Sequence, residues 1–336
     1  LERSFAERWA TQYVLEQAAI LEVILLLYYD ALPRGFPVFL KFCELFSAHA
    51  FGARQINYSA LTELGRASTK RIKYLCILIL LETLDLESYA GGSFSMQTDF
   101  LSVDKVMATW GSLDAHGPIL LAWSAILCRV EQVVAASGSA VNPLEGLISY
   151  SQYGRLGTQL QGADMVLKLL REEAEEARVG YTLAHKSILS GWLVALCSAF
   201  FADDLPFYGS LIQLHAEIHR DEPALGDHFW KQYAEGSPLR TLLDLTRERF
   251  PYEIEPLVSI LTTLAADATC ATTVYFFLSD LSTYMQTLPE HARRFTQPIK
   301  ASDLRASPQI PLPFALDDNT VYITTSCMLI VTFGLI

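Results

Sequence analysis

The chain has 336 residues, 51% of them apolar and only 18% charged, with a net charge of −12. So small a charged share excludes a long disordered chain, and 18 Gly and 14 Pro without period exclude a collagen-like repeat. The acidic balance argues against unaided binding to nucleic acid, whose phosphates need clustered Lys and Arg, and favours neutral or basic protein partners.

Helix follows helix along the chain. Ser4-Phe5-Ala6-Glu7 has the form of a capping box. The helix it opens is predicted to reach about Tyr29 and to end over Asp30 to Gly35. Trp9, Tyr13, Ile20, Ile24, Leu27 and Tyr28 follow its 3.6-residue period. The half from Ala18 to Tyr29 is apolar almost all round, so cover is expected on more than one side. Pro37 starts a second helix, to about Ala48, and a loop holds Phe51-Gly52. A long helix is predicted from about Lys70 to Leu86, nearly all apolar through Leu75 to Leu81 and broken by Gly91-Gly92-Ser93.

Helices follow at Leu101 to Trp110 and Pro118 to Ala135. Asn142-Pro143-Leu144-Glu145 is a start signal, with an Asn cap and Pro in the first turn. Further helical stretches run through Asp164–Arg178, Thr182–Ala202, Pro206–His219, Pro223–Tyr233, Pro238–Arg249, Glu255–Ala266 and Thr269–Thr283. No alternating strand pattern precedes about residue 310. The segment 288–318, with Pro289, Pro298, Pro308, Pro311 and Pro313, reads as an extended linker, and Val321 to Thr325 as a strand. The expected organisation is a helical segment over 1–287, the proline-rich linker over 288–318, and a strand region or artificial boundary over 319–336. About a dozen helices with short joins fit an all-α, two-layer stack without a textual repeat. A closed helical globule is the alternative.

Most apolar runs are closed by charges too soon to span a membrane; only Asn319 to Ile336 is long and uncharged, and its composition suits strands. No membrane span is expected. Both chain ends are read as cuts in a longer protein, and the rest of that longer chain is an expected partner. The six cysteines are scattered, as buried reduced thiols of a nuclear or cytosolic protein would be. The lone sequon Asn57-Tyr58-Ser59 is expected by chance.

Phosphate loops, GxSxG and HExxH are absent, and Gly154, Gly157 and Gly162 are wrongly spaced for a nucleotide fingerprint. His215 and His219, four apart on a helix, could grip one metal. Glu217 points elsewhere, and nothing orients Asp221, Glu222 or His228. With Leu211, Leu214 and Ile218 as the buried stripe, the plainer reading of the His pair is a solvated helix edge. No catalytic, cofactor-binding or metal-binding residue and no cofactor is assigned. The run Arg171 to Arg178 is either an acidic docking face or an exposed, fraying helix end with pairs such as Arg171–Glu175. Tyr28-Tyr29 and Phe276-Phe277 could line inter-helix grooves, with core the plainer reading. Trp123 is expected in the core.

Several stretches in order resemble one family. They are Leu15 to Tyr29, Phe51-Gly52-Ala53-Arg54-Gln55, Ile79 to Ser88, His116 to Trp123, Phe229-Trp230 and Val274 to Leu278. Together they resemble the amino-terminal region of the large inner-ring scaffold nucleoporins of the nucleoporin-188 family, in a fungal form. The resemblance covers roughly residues 5–285, thins after Pro298, and fails over Thr325 to Ile336. It implies an irregular right-handed α-helical solenoid, HEAT- or karyopherin-like, with a short extended or β tail. It further implies a place in the nuclear pore complex of the nuclear envelope and a role in protein and mRNA transport, without catalysis. The partners implied are a linker nucleoporin engaged through a short helical motif, and phenylalanine–glycine repeats or transport receptors. A soluble HEAT-like transport receptor or adaptor is the alternative, and a helical enzyme using His215 and His219 the third reading.

Overall fold

Tyr74 to Leu81 offers no charged side chain over two turns of helix, so it has no face to give to water. In the computed structural model every side chain of this run is at most 2% exposed. The structure describes residues 2–55, 57–92, 99–137, 143–175, 182–200, 208–231, 237–250 and 253–279, with the strand backbones at 285–287, 314–317 and 320–322.

The first half contains α1 (Glu2–Asp30), α2 (Phe36–Ala48), two short 3-10 turns at Ala50–Gly52 and Tyr58–Ala60, α3 (Glu63–Thr83), α4 (Leu86–Ala90), α5 (Phe100–Met107), α6 (His116–Ser137) and α7 (Tyr150–Gln159). The second half contains α8 (Gly162–Glu175), α9 (Thr182–Ala199), α10 (Tyr208–His219), α11 (Pro223–Lys231), α12 (Pro238–Arg249), α13 (Ile254–Leu264) and α14 (Ala268–Ser279). The fold is an all-α helical solenoid whose helices pile up broadly in chain order. Two helices lock the pile: α3 packs against α1, α2, α6, α8 and α9, and α9 against α4, α6, α10 and α12. Phe36, Tyr89, Phe100 and Trp123 form one aromatic knot where α2, α4, α5 and α6 meet. Trp123 is fully buried, as the sequence reading has it.

Several boundaries differ from the sequence reading for local reasons. α1 begins at Glu2, so the Ser4 signal falls inside it. α3 begins at Glu63 rather than near Lys70. Its cap is Thr62, whose Oγ1 accepts the Gly65 amide at 3.3 Å and lies 3.0 Å from Thr11 Oγ1 of α1. The polar first turns of α3 hid it from an apolar pattern. Pro143 to Gly146 form a turn, with Gly146 at φ 81°, and helix resumes only at Tyr150.

That helix, α7, was missed because glycines interrupt its pattern. They serve close approach to α6. A Cβ on Gly157 would lie 2.7 Å from Leu121 Cγ, and one on Gly162 would lie 2.6 Å from the Gly117 carbonyl carbon. Gly154 likewise faces Ser124, whose hydroxyl donates to the Tyr150 carbonyl at 2.6 Å.

Two helices, Phe5–Asp30 within α1 and α6, are long and apolar enough to cross a membrane by length and composition alone, which the sequence reading had allowed only for residues 319–336. α6 is a core helix, buried by α3, α7, α8 and α9. α1 is less covered. Beyond the helices, β1 (Met285–Thr287), β2 (Phe314–Asp317) and β3 (Thr320–Tyr322) form an antiparallel sheet in the order β1-β3-β2. The expected strand at Val321 begins in β3; its residues 323–325 lie outside the described residues. β1 is too short for an alternating pattern to reveal it.

Candidate functional site

The small side chains of α1 make its contact with α3. Ala10, Val14, Ala18 and Leu25 are buried, and α1 and α3 lie side by side. The bulky members of the apolar stripe point away: Trp9 is 60% exposed and Ile20 59%, and Tyr13, Val23 and Leu27 are also exposed. The expected cover on more than one side is therefore missing among the described residues. The helical period was read correctly, but a period cannot say which face packs, and here the compact face wins the close approach.

A hollow of about 550 Å³ runs between this outer face, the end of α2 and the chain after it. Ile20, Ile24, Leu45 and Phe46 give it apolar walls, and Trp9 stacks on Tyr13 at its edge, ring centroids 6.1 Å apart. Its rim is shaped by a tight reversal in which Ala50, Phe51 and Gly52 all have positive φ. Such backbone is strained for residues with a Cβ. Phe51 holds it by burying its ring completely against Phe46, Trp110 and His116. Gly52 is required there, since a Cβ would meet Ile72 Cγ2 at 2.4 Å. Phe51-Gly52 is thus a packed hinge of the loop the sequence reading placed here.

Beneath the hollow, four helices meet at a buried polar crossing that sequence reasoning missed. Glu22 of α1 is hydrogen-bonded by the Nη2 of Arg71 of α3. Arg71 Nε lies 3.2 Å from Glu173 Oε1 of α8, and His185 Nε2 of α9 lies 3.4 Å from Glu22 Oε1. Tyr74 packs edge-on to His185. Burial pushes the Glu22 carboxyl up, but His185 and Arg71 outweigh it and hold the group below its ordinary value. The signal in the sequence was a carboxylate set midway in an apolar half-helix, which must find a cation.

His215 and His219 are not a solvated edge. Both are buried, stacked with centroids 4.3 Å apart, and both meet Phe229 edge-on. His219 Nδ1 lies 2.9 Å from the His215 carbonyl, while neither ring nitrogen of His215 has a hydrogen-bond partner among the described residues. Burial drives both pKa values down, His219 to about 4. Neutral imidazoles suit metal binding, but the described residues contain no group of three His, Cys, Asp or Glu able to hold an ion. Glu217 instead pairs with Arg171 and Arg220 at 3.4 and 3.2 Å, and Glu222 with Lys186 at 3.6 Å. His228 lines a hollow of about 370 Å³ together with His219.

The acidic run is anchored rather than free at its start. Glu172 meets Lys70 at 3.1 Å, Glu173 meets Arg71, and Arg171 meets Glu217 at 3.4 Å, while the Glu175 side chain lies outside the described residues. α8 ends at Glu175, and residues 176–178 lie outside the described residues. The aromatic pairs are split. Tyr28 packs edge-on to Phe42 while Tyr29 is exposed, and Phe277 packs near Trp230 while Phe276 is 62% exposed. Cys43, Cys76, Cys128, Cys197 and Cys270 are free and buried. Burial raises their thiol pKa values, for Cys76 to about 12, so they stay protonated and inert.

An all-α solenoid with a packed interior and, among the described residues, exposed apolar side chains concentrated along α1 is the architecture of a helical-repeat protein. The family model described as "Nucleoporin Nup188, N-terminal" matches residues 1–145. The chain is 27% identical over 289 residues to nucleoporin NUP188 of Homo sapiens, covering 82% of this chain and 16% of that protein. It is 29% identical over 293 residues to nucleoporin NUP188 of Xenopus tropicalis, again 16% of that protein. The chain is thus similar to the Nup188 nucleoporins, through the amino-terminal family model over residues 1–145 and the curated relatives over 82–83% of its length. It spans about one sixth of the length of the curated relatives it matches.

Proposed function

We propose that this chain is a scaffold segment of the inner ring of the nuclear pore, one that holds other nucleoporins in grooves between its helices and supports nucleocytoplasmic transport without catalysing a reaction. The observation that carries the reading is the pairing of an interlocked helical core with an open apolar groove along α1. The core supplies rigidity; the groove supplies a place to hold something. The partners are a linker nucleoporin docking through a short helical motif, and phenylalanine–glycine repeats or transport receptors passing over exposed aromatics such as Phe276. Residues 1–287 act as the solenoid segment, closing on β1, 288–318 as the proline-rich connection, closing on β2, and 319–336 as the strand region that β3 opens.

Photobleaching of the tagged full-length protein tests this. A scaffold stays at the nuclear rim for many minutes. Recovery within seconds, together with binding to a small GTPase, would replace the scaffold with a soluble transport receptor.

A further inference from the structure

The geometry points to one occupant for the hollow on α1: an amphipathic helix from a protein partner, its apolar side against Trp9, Tyr13 and Ile20 and a carboxylate placed to meet Arg54. This deepens the scaffold reading and rests on it. The hollow follows α1 from Trp9 to Ile24, a length of about 15 residues or roughly 22 Å of helix. Its described walls are helices, a 3-10 turn and the loop carrying Arg54, with no strand among them, so an entering segment finds ridges and grooves rather than a strand edge.

Charge selects among occupants. The whole chain carries 37 Asp and Glu against 25 Lys and Arg, yet none of the described residues lining the hollow is acidic. Arg54 is the one permanent charge there. It is exposed, and it has no carboxylate partner among the described residues. A guanidinium in that state is matched by a carboxylate, which it can bind with two parallel hydrogen bonds. A second copy of the chain would bring −12 against −12. A lipid surface is disfavoured because α1 carries Glu2, Glu7, Glu16, Glu22 and Asp30 against Arg3 and Arg8, whereas helices that lie in membranes are rich in Lys and Arg.

The test uses a display library of helix-forming peptides about 15 residues long, selected on the full-length protein and on its Arg54→Glu variant. The wild type is expected to enrich peptides with apolar residues at i, i+3/i+4 and i+7 and Asp or Glu at one end. Arg54→Glu is expected to enrich Lys or Arg at that same end. Ile20→Glu, a change at an exposed position, should weaken the selected wild-type peptides at least tenfold while leaving the melting temperature unchanged. The proposal is overturned if no such peptide is enriched on the full-length protein, or if peptide charge ignores residue 54. It is equally overturned if sedimentation shows a dimer that Ile20→Glu dissociates, or if Ile20→Glu abolishes binding to phosphatidylcholine vesicles. Rapid exchange at the pore would remove the scaffold reading and leave these peptide results standing, so the two failures are distinct.

Discussion

Glu22 of α1 is hydrogen-bonded by Arg71 of α3 with both side chains less than a tenth exposed. The pair fixes the height at which the first helix lies on the core, because either charge out of register would be left buried and alone. Removing one partner of such a pair typically costs about 3–5 kcal/mol, while replacing both with apolar groups costs far less. Arg71→Met is therefore expected to destabilise by about 3–5 kcal/mol in urea unfolding. Glu22→Leu/Arg71→Met should lose clearly less than the sum of the two single changes. Strict additivity would mean that the two charges do not act as a pair.

His215 gains nothing from its nitrogens. Both are buried without a partner among the described residues, and each orphaned polar group costs about 1–3 kcal/mol. His215→Leu is expected to raise the denaturation midpoint, with a gain of about 1 kcal/mol after the lost ring stacking is subtracted. A large loss of stability would show that the ring makes a bond absent from this structure.

Acid should weaken the fold through its histidines. His116 and His219 are pushed down to about 4, and His215 well below its ordinary value, chiefly by burial. The unfolded chain then binds more protons than the folded one between pH about 6.5 and 4, so stability falls as pH falls through that window. Glu82 acts in the opposite sense. Burial raises it to about 7, against Arg34, so its share of stability fades as pH rises from about 4.5 to 7. Chemical denaturation at a series of pH values should show a net acid loss, made shallower by His215→Leu/His219→Leu and steeper by Glu82→Gln.

Two glycine-to-alanine changes should move stability in opposite directions. Alanine favours a helix by up to about 1 kcal/mol over glycine. At Gly209 in α10 a Cβ meets nothing within 4 Å, so Gly209→Ala should stabilise by a few tenths of a kcal/mol. At Gly162 a Cβ would meet the Gly117 and Pro118 backbone at 2.6–2.9 Å. Gly162→Ala should instead lower the thermal midpoint by several degrees, the equivalent of about 2 kcal/mol or more.

The helical solenoid was legible because runs such as Leu75 to Leu81 and Ile119 to Leu127 leave no choice but burial. What escaped were relations between segments. α7 was hidden because Gly154 and Gly157 look like helix breakers until the neighbouring α6 is in view. The outward stripe of α1 was visible as a period, but its direction depended on which face α3 could approach closely. His215 and His219 were misjudged because α10 is covered on more sides than its own pattern demands: α8, α9, α11 and α13 all reach it. The run from Arg171 read as a local matter of pairs such as Arg171–Glu175, but Arg171 also reaches Glu217 of α10 and Glu172 reaches Lys70 of α3.

The enclosure of α3 has a price during synthesis. Its apolar belt leaves the ribosome well before the partners that close over it, for α9 begins at Thr182, about 100 residues after α3 ends at Thr83. At roughly 5–20 residues per second the belt stays open on its α9 side for about 5–20 s, with only α1, α2 and then α6 and α8 to cover the rest. In that interval the open side of α3 is an apolar surface of the kind chaperones bind, and it closes once α9 packs on it.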